Sequence, residues 1–215
     1  MKVGTDGVLL GAWAGICPDD HRALDVGTGT GLIALMLTQR SPALAVQAID
    51  IDPAAAEEAA ANFAASPWAN RLAALPISLQ SFISESEAPA SRTFDLIVSN
   101  PPFFKASLKA PDAQRSAARH DDTLPPAELI AAARRLLAPN GRLAVIYPPE
   151  EARAFVVEAE AAGLYLSRLT RVISVAGQPP KRHLMEFSRS AGMPAFDDLV
   201  IDSPEYRSLT GAFYL

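Results

Sequence analysis

Short apolar runs alternate with amphipathic stretches along most of the 215-residue chain, the pattern of a parallel sheet assembled from strand-helix-strand units. The first predicted strand, Ala23 to Val26, runs into Gly27-Thr28-Gly29-Thr30-Gly31, after which Leu32, Ile33, Leu35, Met36 and Leu37 give a helix its apolar face. Ala45 to Ile51 repeats the strand, and Pro53 opens a helix over Ala54 to Ala65, since proline is well tolerated at a first helical position. A weaker third strand lies in Leu72 to Leu79, followed by a polar surface loop around Ser84, Glu85, Ser86, Glu87 and Pro89. Phe94 to Val98 reads as a buried strand that ends in Ser99-Asn100-Pro101-Pro102-Phe103-Phe104. Two successive prolines lack the amide donors that a central strand needs, so this is a rigid loop. Lys105 to Leu124 is polar and aperiodic, the mark of a long functional loop. A helix over Pro126 to Leu137, a stop at Pro139-Asn140-Gly141, a strand at Leu143 to Tyr147 and a helix over Glu150 to Ala162 continue the alternation to Gly163. Tyr165 to Val175 and His183 to Arg189, flanking Gly177-Gln178-Pro179-Pro180, then read as a hairpin-like pair.

These elements predict one Rossmann-like α/β domain with a seven-stranded, mostly parallel sheet and helices on both faces. Residues 1–21 would form a helical lead-in, 22–190 the core and 191–215 a short C-terminal extension. The apolar run Val8 to Cys17 is too short to cross a membrane, which takes about 20 apolar residues, and is expected to be a buried helix. Composition adds limits rather than a function. With 49% hydrophobic and 20% charged residues the chain is globular, not disordered. A net charge of -5 excludes a surface that grips polyanions everywhere, so any nucleic acid contact must be regional. The single cysteine, Cys17, allows no internal disulfide, and no Cys/His spacing suits a metal. A reducing cytoplasm and a metal-free site are expected.

Open α/β sheets bind ligands beyond the carboxyl ends of their strands, so the loops after strands one, two and four should share a cleft. In the first, the glycines would let backbone amides approach a ligand at a helix N-terminus. A dinucleotide fingerprint G-x-G-x-x-G starting at Gly27 would need glycine at position 32, where Leu32 stands. The spacing suits the amino-acid part of S-adenosylmethionine instead. After strand two, Asp50 is placed to accept hydrogen bonds from both hydroxyls of a ribose, while Asp52, just before Pro53, reads better as a helix cap. Asp25, an acid within an apolar strand, must be paired, with water, backbone amides or a cofactor amine as candidate partners. The most specific signal is Asn100-Pro101-Pro102-Phe103. The Asn100 side-chain carbonyl and the Pro101 backbone carbonyl can accept both hydrogens of one planar amine, and Phe103 can stack on the ring that bears it, worth about 1–3 kcal/mol for a base.

Taken together, the glycine loop, Asp50 and NPPF resemble the class I S-adenosylmethionine-dependent amino-group methyltransferases. The stretch from Lys2 to Trp13 (KVGTDGVLLGAW), LDVGTGTGLIALMLTQR, AIDID, Ser66-Pro67-Trp68 and SNPPFF narrow the resemblance to the bacterial valine-tRNA adenine-N6 methyltransferases. Similar stretches occur at Gln114-Arg115 to Ala118-Arg119-His120, at Pro179 to Arg182 and from Ser208-Leu209-Thr210 to Phe213-Tyr214-Leu215, so the likeness spans nearly the whole chain. The family pattern begins upstream of Met1 with a basic-aromatic segment, which implies a shortened N-terminus here. Many methyltransferases also carry an acid after strand three for the cofactor's adenine, where this chain offers Ser78. A hydroxyl can do part of that task.

The resemblance implies methyl transfer to the exocyclic amine of the adenine 3′ of the anticodon in valine tRNA, with S-adenosylhomocysteine as product and no metal. It implies catalytic roles for Asn100, Pro101 and Phe103. Cofactor contacts would come from Thr5, Gly11, Asp25, Gly27, Thr28, Gly29, Gly31, Asp50, Ile51 and Ser78. Phe104, Lys105, Lys109, Arg115, Arg119, His120, Lys181 and Arg182, with His183 beside them, would meet the tRNA, mostly at phosphates. A cytoplasmic monomer is expected, with tRNA as its partner and no membrane contact. Alternatives are methylation of a protein glutamine amide, another RNA or DNA adenine, or a non-catalytic RNA-binding module; Leu32 disfavours an NAD-dependent oxidoreductase.

Overall fold

The computed structural model describes residues 4–85, 93–102 and 124–213. Its centre is a sheet of eight strands in the order β3-β2-β1-β4-β5-β7-β6-β8. The strands are β1 (Arg22–Val26), β2 (Ala45–Asp50), β3 (Leu72–Pro76), β4 (Phe94–Ser99), β5 (Leu137–Tyr147), β6 (Tyr165–Ile173), β7 (Arg182–Ser188) and β8 (Ala195–Val200). Pairing is parallel throughout except along β7, which runs antiparallel to both β5 and β6. Strand order reverses at β1 and β4, so a crevice opens beyond their carboxyl ends.

Strand alternation sends side chains to two cores. On one face Leu9, Leu10 and Trp13 of α1 (Thr5–Trp13), Ile33 and Leu37 of α2 (Leu32–Arg40) and Phe63 of α3 (Pro53–Ala64) cover Val46, Leu96, Ile146 and Leu184. Tyr206 of α7 (Pro204–Thr210) joins this layer. On the other, Phe82 of α4 (Leu79–Glu85), Leu129 and Leu136 of α5 (Pro126–Leu136) and Phe155 of α6 (Pro149–Ala161) cover Leu24, Ile97, Val145 and Phe187. The expected buried N-terminal helix is α1, seated on α2 where Gly11 lies so close to Met36 that an added Cβ would come within 2.8 Å of its sulfur. No helix among the described residues is long and apolar enough to cross a membrane.

Three expectations are corrected. The sheet has eight strands rather than seven, because the C-terminal extension returns β8 to the edge beside β6. The third strand stops at Pro76, and Leu79, read as strand, and Ser84 and Glu85, read as loop, belong to α4, with the Ser78 hydroxyl accepting from the Ser81 amide at its start; Ser86, Glu87 and Pro89 lie outside the described residues. Leu79 and Phe82 are the buried side of that short helix, and Gln80, Ser81 and Ser84 are its polar side. Finally, Pro139-Asn140-Gly141 does not precede β5 but lies within it, in a bulge where the pairing jumps from Phe94↔Leu137 to Leu96↔Arg142.

Gly31 shows how the sequence enforces the first turn. It has φ +81°, and a Cβ there would stand 2.4 Å from the buried Phe63 ring. Gly31→Ala is therefore expected to destabilise the fold by about 1–3 kcal/mol through strained backbone and overpacking. Urea unfolding would register this as a lower midpoint, and an unchanged midpoint would refute it.

Candidate active site

The carboxyl ends of β1, β2 and β4 open into a cavity of about 690 Å³, within the usual range for a small-molecule site. Its walls are the first turn of α1 with the preceding Gly4 (Gly4, Thr5, Asp6, Gly7), the loop after β1, the Asp50–Asp52 stretch, the start of α4 and Asn100-Pro101-Pro102. Leu124 closes one side.

The glycine loop is held from within. The Gly27 and Thr28 amides both donate to the Ile49 carbonyl, at 2.9 and 3.1 Å, and the Gly31 amide donates to the Thr28 carbonyl at 3.0 Å. The Gly29 amide donates to Asp50 Oδ2 at 2.8 Å. These donors are turned into the protein instead of toward a ligand, which corrects the expectation that they would meet it directly. A pyrophosphate needs such amides free, so the backbone itself agrees with Leu32 in disfavouring a dinucleotide. What the loop offers is room: Gly27 has φ +71° and open space where a Cβ would stand.

Asp50 receives the Gly29 amide on one oxygen and the Asp52 amide on the other, at 3.0 Å. Both bonds orient the carboxylate at the cavity wall and leave lone pairs for further donors. Asp52 accepts from the Ala54 amide at 3.0 Å and caps α3, as its place before proline led one to expect. Between them Ile51 is 54% exposed, an apolar platform on the same wall. Ser78 lies on the rim, its hydroxyl hydrogen directed to Ser81 Oγ at 3.0 Å.

Asp25 lies beneath the cavity and does not line it. It is fully buried; Oδ2 accepts from the Thr28 hydroxyl at 2.6 Å and Oδ1 makes no hydrogen bond among the described residues. Burial pushes its pKa up to about 7, against the pull of the Thr28 hydroxyl, and the charge of Asp50 adds to the rise.

Asn100 is half-buried at the cavity edge, and its side chain makes no hydrogen bond to another described residue. Its neighbour Ser99, which the sequence reading passed over, is fully buried and donates to the Val26 carbonyl at 2.8 Å. That bond pins the end of β4 to the end of β1 and so sets Asn100 beside the glycine loop. Pro101 is buried and lines the cavity.

The other expected contacts divide. Thr5, Gly27, Thr28, Gly29, Asp50, Ile51 and Ser78 line the cavity. Gly11 and Gly31 do not; each is a packing position, against Met36 and Phe63. Arg182 is engaged with Asp6, its Nε donating to Oδ2 at 2.7 Å, instead of standing open for a phosphate. Lys181 is exposed. Burial, reinforced by Arg153 and Arg171, lowers the pKa of His183 and makes it a poor cation at neutral pH. Phe103, Phe104, Lys105, Lys109, Arg115, Arg119 and His120 lie outside the described residues, as does most of the loop expected after Phe104. Ser99 does not line the cavity; among the residues that do, the sequence reading did not single out Asp6, Gly7, Ala55, Ile77, Gln80 and Leu124, nor several others along the strand ends. The KVGTDG run contained the signal for the first two.

The methyltransferase small domain family matches residues 15–160. A tRNA1(Val) (adenine(37)-N6)-methyltransferase of Porphyromonas gingivalis is 49% identical over 232 residues, spanning all of this chain and 89% of that protein. The chain belongs to the tRNA1(Val) (adenine(37)-N6)-methyltransferase family. A member from Flavobacterium johnsoniae is 46% identical over all of this chain and 93% of its own length. A solved structure described as a predicted O-methyltransferase from Agrobacterium tumefaciens matches with TM-score 0.71 at 19% identity, covering 96% of both chains. That likeness is one of fold, the class I methyltransferase fold. The enzyme's methyl donor is accordingly S-adenosylmethionine, and the cavity fits it in the open cradle at Gly27, the oriented Asp50 and the apolar Ile51.

The position of Asp25 carries a pH consequence. An unfolded aspartate loses its proton near pH 4, the folded one near 7. In that window the folded chain holds the extra proton, so stability falls as pH rises, by up to about 1.4 kcal/mol per pH unit, and the loss is complete above the folded value. Asp25→Asn, uncharged throughout, should remove this slope. Denaturation of both proteins at pH 5 and pH 8 checks it, and parallel pH dependences would show that Asp25 is not the source.

Proposed function

We propose that the enzyme transfers a methyl group to the exocyclic amine of an adenine in the anticodon loop of valine tRNA, the base 3′ of the anticodon. The observation that carries the reading is Asn100: an amide with no hydrogen-bond partner among the described residues, held at the edge of the cavity by the buried Ser99–Val26 bond. The names of the 49% and 46% identical relatives supply the acceptor.

Bound S-adenosylmethionine supplies an activated methyl group. With that cofactor in the cavity, Asp50 would accept from the ribose hydroxyls, Ile51 and Ser78 would border the adenine, and Thr5 and the Gly27–Gly29 turn would border the amino-acid end. Asp25 works from below, holding Thr28 and through it the turn. The Asn100 side-chain carbonyl and the Pro101 carbonyl accept hydrogen bonds from the two N–H groups of the acceptor amine, which keeps its lone pair out of the ring and aims it into the cavity; as nitrogen bonds the methyl carbon, that carbon's bond to sulfur breaks, S-adenosylhomocysteine leaves, and the nitrogen gives up one proton to solvent. Phe103, outside the described residues, is assigned the stacking contact with the base. Alignment is the main catalytic contribution, because two reactants held in line no longer need to meet by diffusion. The adenine must leave its stack to enter, at lower cost in an anticodon loop than in a duplex. Lys105, Lys109, Arg115, Arg119 and Lys181 are suited to the flanking phosphates. The enzyme acts as a cytoplasmic monomer in this reading.

The test is to incubate the enzyme with methyl-labelled cofactor and total RNA or protein extract and to identify what becomes labelled. Label is expected on an adenine amine of a tRNA, with transfer falling as salt rises; label on a protein glutamine would overturn the acceptor and leave the amine chemistry standing.

Asn100→Ala should lower kcat by orders of magnitude while S-adenosylhomocysteine still stabilises the protein against heat, by about 2.7 kcal/mol at 100 times its dissociation constant. Loss of both together would make the loop structural.

A further inference from the structure

Arg182 is the first residue of β7, and strand alternation decides which way it reaches. Met185 and Phe187 belong to the core beneath α5 and α6, whereas Leu184 belongs to the core beneath α1 and α2. Arg182 shares the face of Leu184. Its Nε meets Asp6 Oδ2 at 2.7 Å across 176 positions of sequence, and Nη1 donates to the Lys181 carbonyl at 2.8 Å. Both side chains of the ion pair are partly shielded, at 32% and 24% exposure, so solvent screens the pair less than one at the open surface.

Asp6 belongs to the first turn of α1, which with Gly4 forms one wall of the cavity. That turn has a weak beginning. Gly4 stands at the N-cap and supplies no side-chain hydrogen bond to the helix. The later part of α1 is anchored by the Gly11–Met36 contact and by Arg40, which donates to the Gly11 carbonyl at 2.7 Å. The turn that faces the ligand space is held by Gly7 close to Leu32 and by Arg182. Because β7 is antiparallel and His183 pairs with Tyr147 at the end of β5, the 174–181 turn before Arg182 lies at the same end of the sheet as Asn100.

We propose that Asp6 and Arg182 form a positioning pair: Arg182, acting through Asp6, holds the α1 wall of the S-adenosylmethionine cavity in its binding position and ties that wall to the β6–β7 turn on the acceptor side. This rests on the cofactor reading of the cavity and is independent of which molecule accepts the methyl group. It removes Arg182 from the set of phosphate contacts. The pair conveys order from one substrate's side to the other's, so a change at residue 182 is felt first by the cofactor.

The experiment is a double-mutant cycle of wild type, D6N, R182Q and D6N/R182Q, read by calorimetric titration with S-adenosylhomocysteine and by steady-state methylation of tRNA at several salt concentrations. R182Q is expected to weaken S-adenosylhomocysteine binding about tenfold, and the double variant should bind no worse than D6N alone, because the two residues act as one unit. The KM for S-adenosylmethionine should rise with kcat little changed, and the salt dependence of the tRNA KM should keep its slope. R182K, which retains the charge, should recover part of the loss, and it carries the test if R182Q does not fold. Additive losses, an unchanged S-adenosylhomocysteine affinity in R182Q, or an R182K that binds no better than R182Q would overturn the proposal; where R182Q does not fold, additive losses of D6N and R182K would do so; a shallower salt slope with intact cofactor binding would return Arg182 to the phosphates. Failure of the wild type to bind S-adenosylhomocysteine would overturn the cofactor reading as well, while failure to methylate tRNA with the cycle intact would overturn the acceptor alone.

Discussion

The glycine loop, Asp50 and Asn100 all depend on the carboxyl end of one buried strand. β1 lies between β2 and β4, and its last residue, Val26, gives its carbonyl to the Ser99 hydroxyl while the amides that follow it go to the Ile49 carbonyl and the Asp50 carboxylate. Three neighbouring strand ends are thereby locked at one level. Buried hydrogen bonds of this kind contribute only about 1 kcal/mol each in net terms, yet leaving one unmade costs more. The result is a site whose geometry is decided by main chain and short side chains, which have few rotamers to lose.

Much of the fold was legible because it rests on period and punctuation. The β1–β2 and β4 strands, the glycine turn and the proline at the start of α3 each combine an apolar run with a residue whose backbone preference is strong, and the structure places them within a residue or two of expectation. The failures share a cause. In α4 scarcely two helical turns show too little of the 3.6-residue period to be told from a loop. β8 is an edge strand whose Phe196, Asp197 and Asp198 are all exposed, so it lacks the alternation of a half-buried strand. In β5 the Pro-Asn-Gly sequence has every local property of a stop, and only the neighbouring β4 turns it into a bulge.

The site divides along similar lines. That Asp50 and Asn100 would stand at the cavity wall was legible, because a carboxylate and an amide at the ends of the two strands flanking β1 lie where the crevice must open. Gly11 and Gly31 were misread because a glycine that makes space for a ligand and one that makes space for Met36 or Phe63 look alike in one dimension. Arg182 was taken for a phosphate contact because its acid partner is nearly the whole chain away. Partners that distant belong to the topology, and no local pattern contains them.

The inward-turned amides of the glycine loop have a consequence for selectivity within a cell. Adenosine compounds carrying phosphate chains are abundant, and each shares the ribose and base that this cavity would recognise. Rejecting them would ordinarily require a repulsive side chain, which one substitution can erase. Here the amides of Gly27, Thr28, Gly29 and Gly31 are committed to Ile49, Asp50 and Thr28, and a phosphate arriving at the turn would find those four donors taken. A preference written in main-chain hydrogen bonds does not depend on the identity of any one side chain in the loop, so a single substitution there cannot erase it.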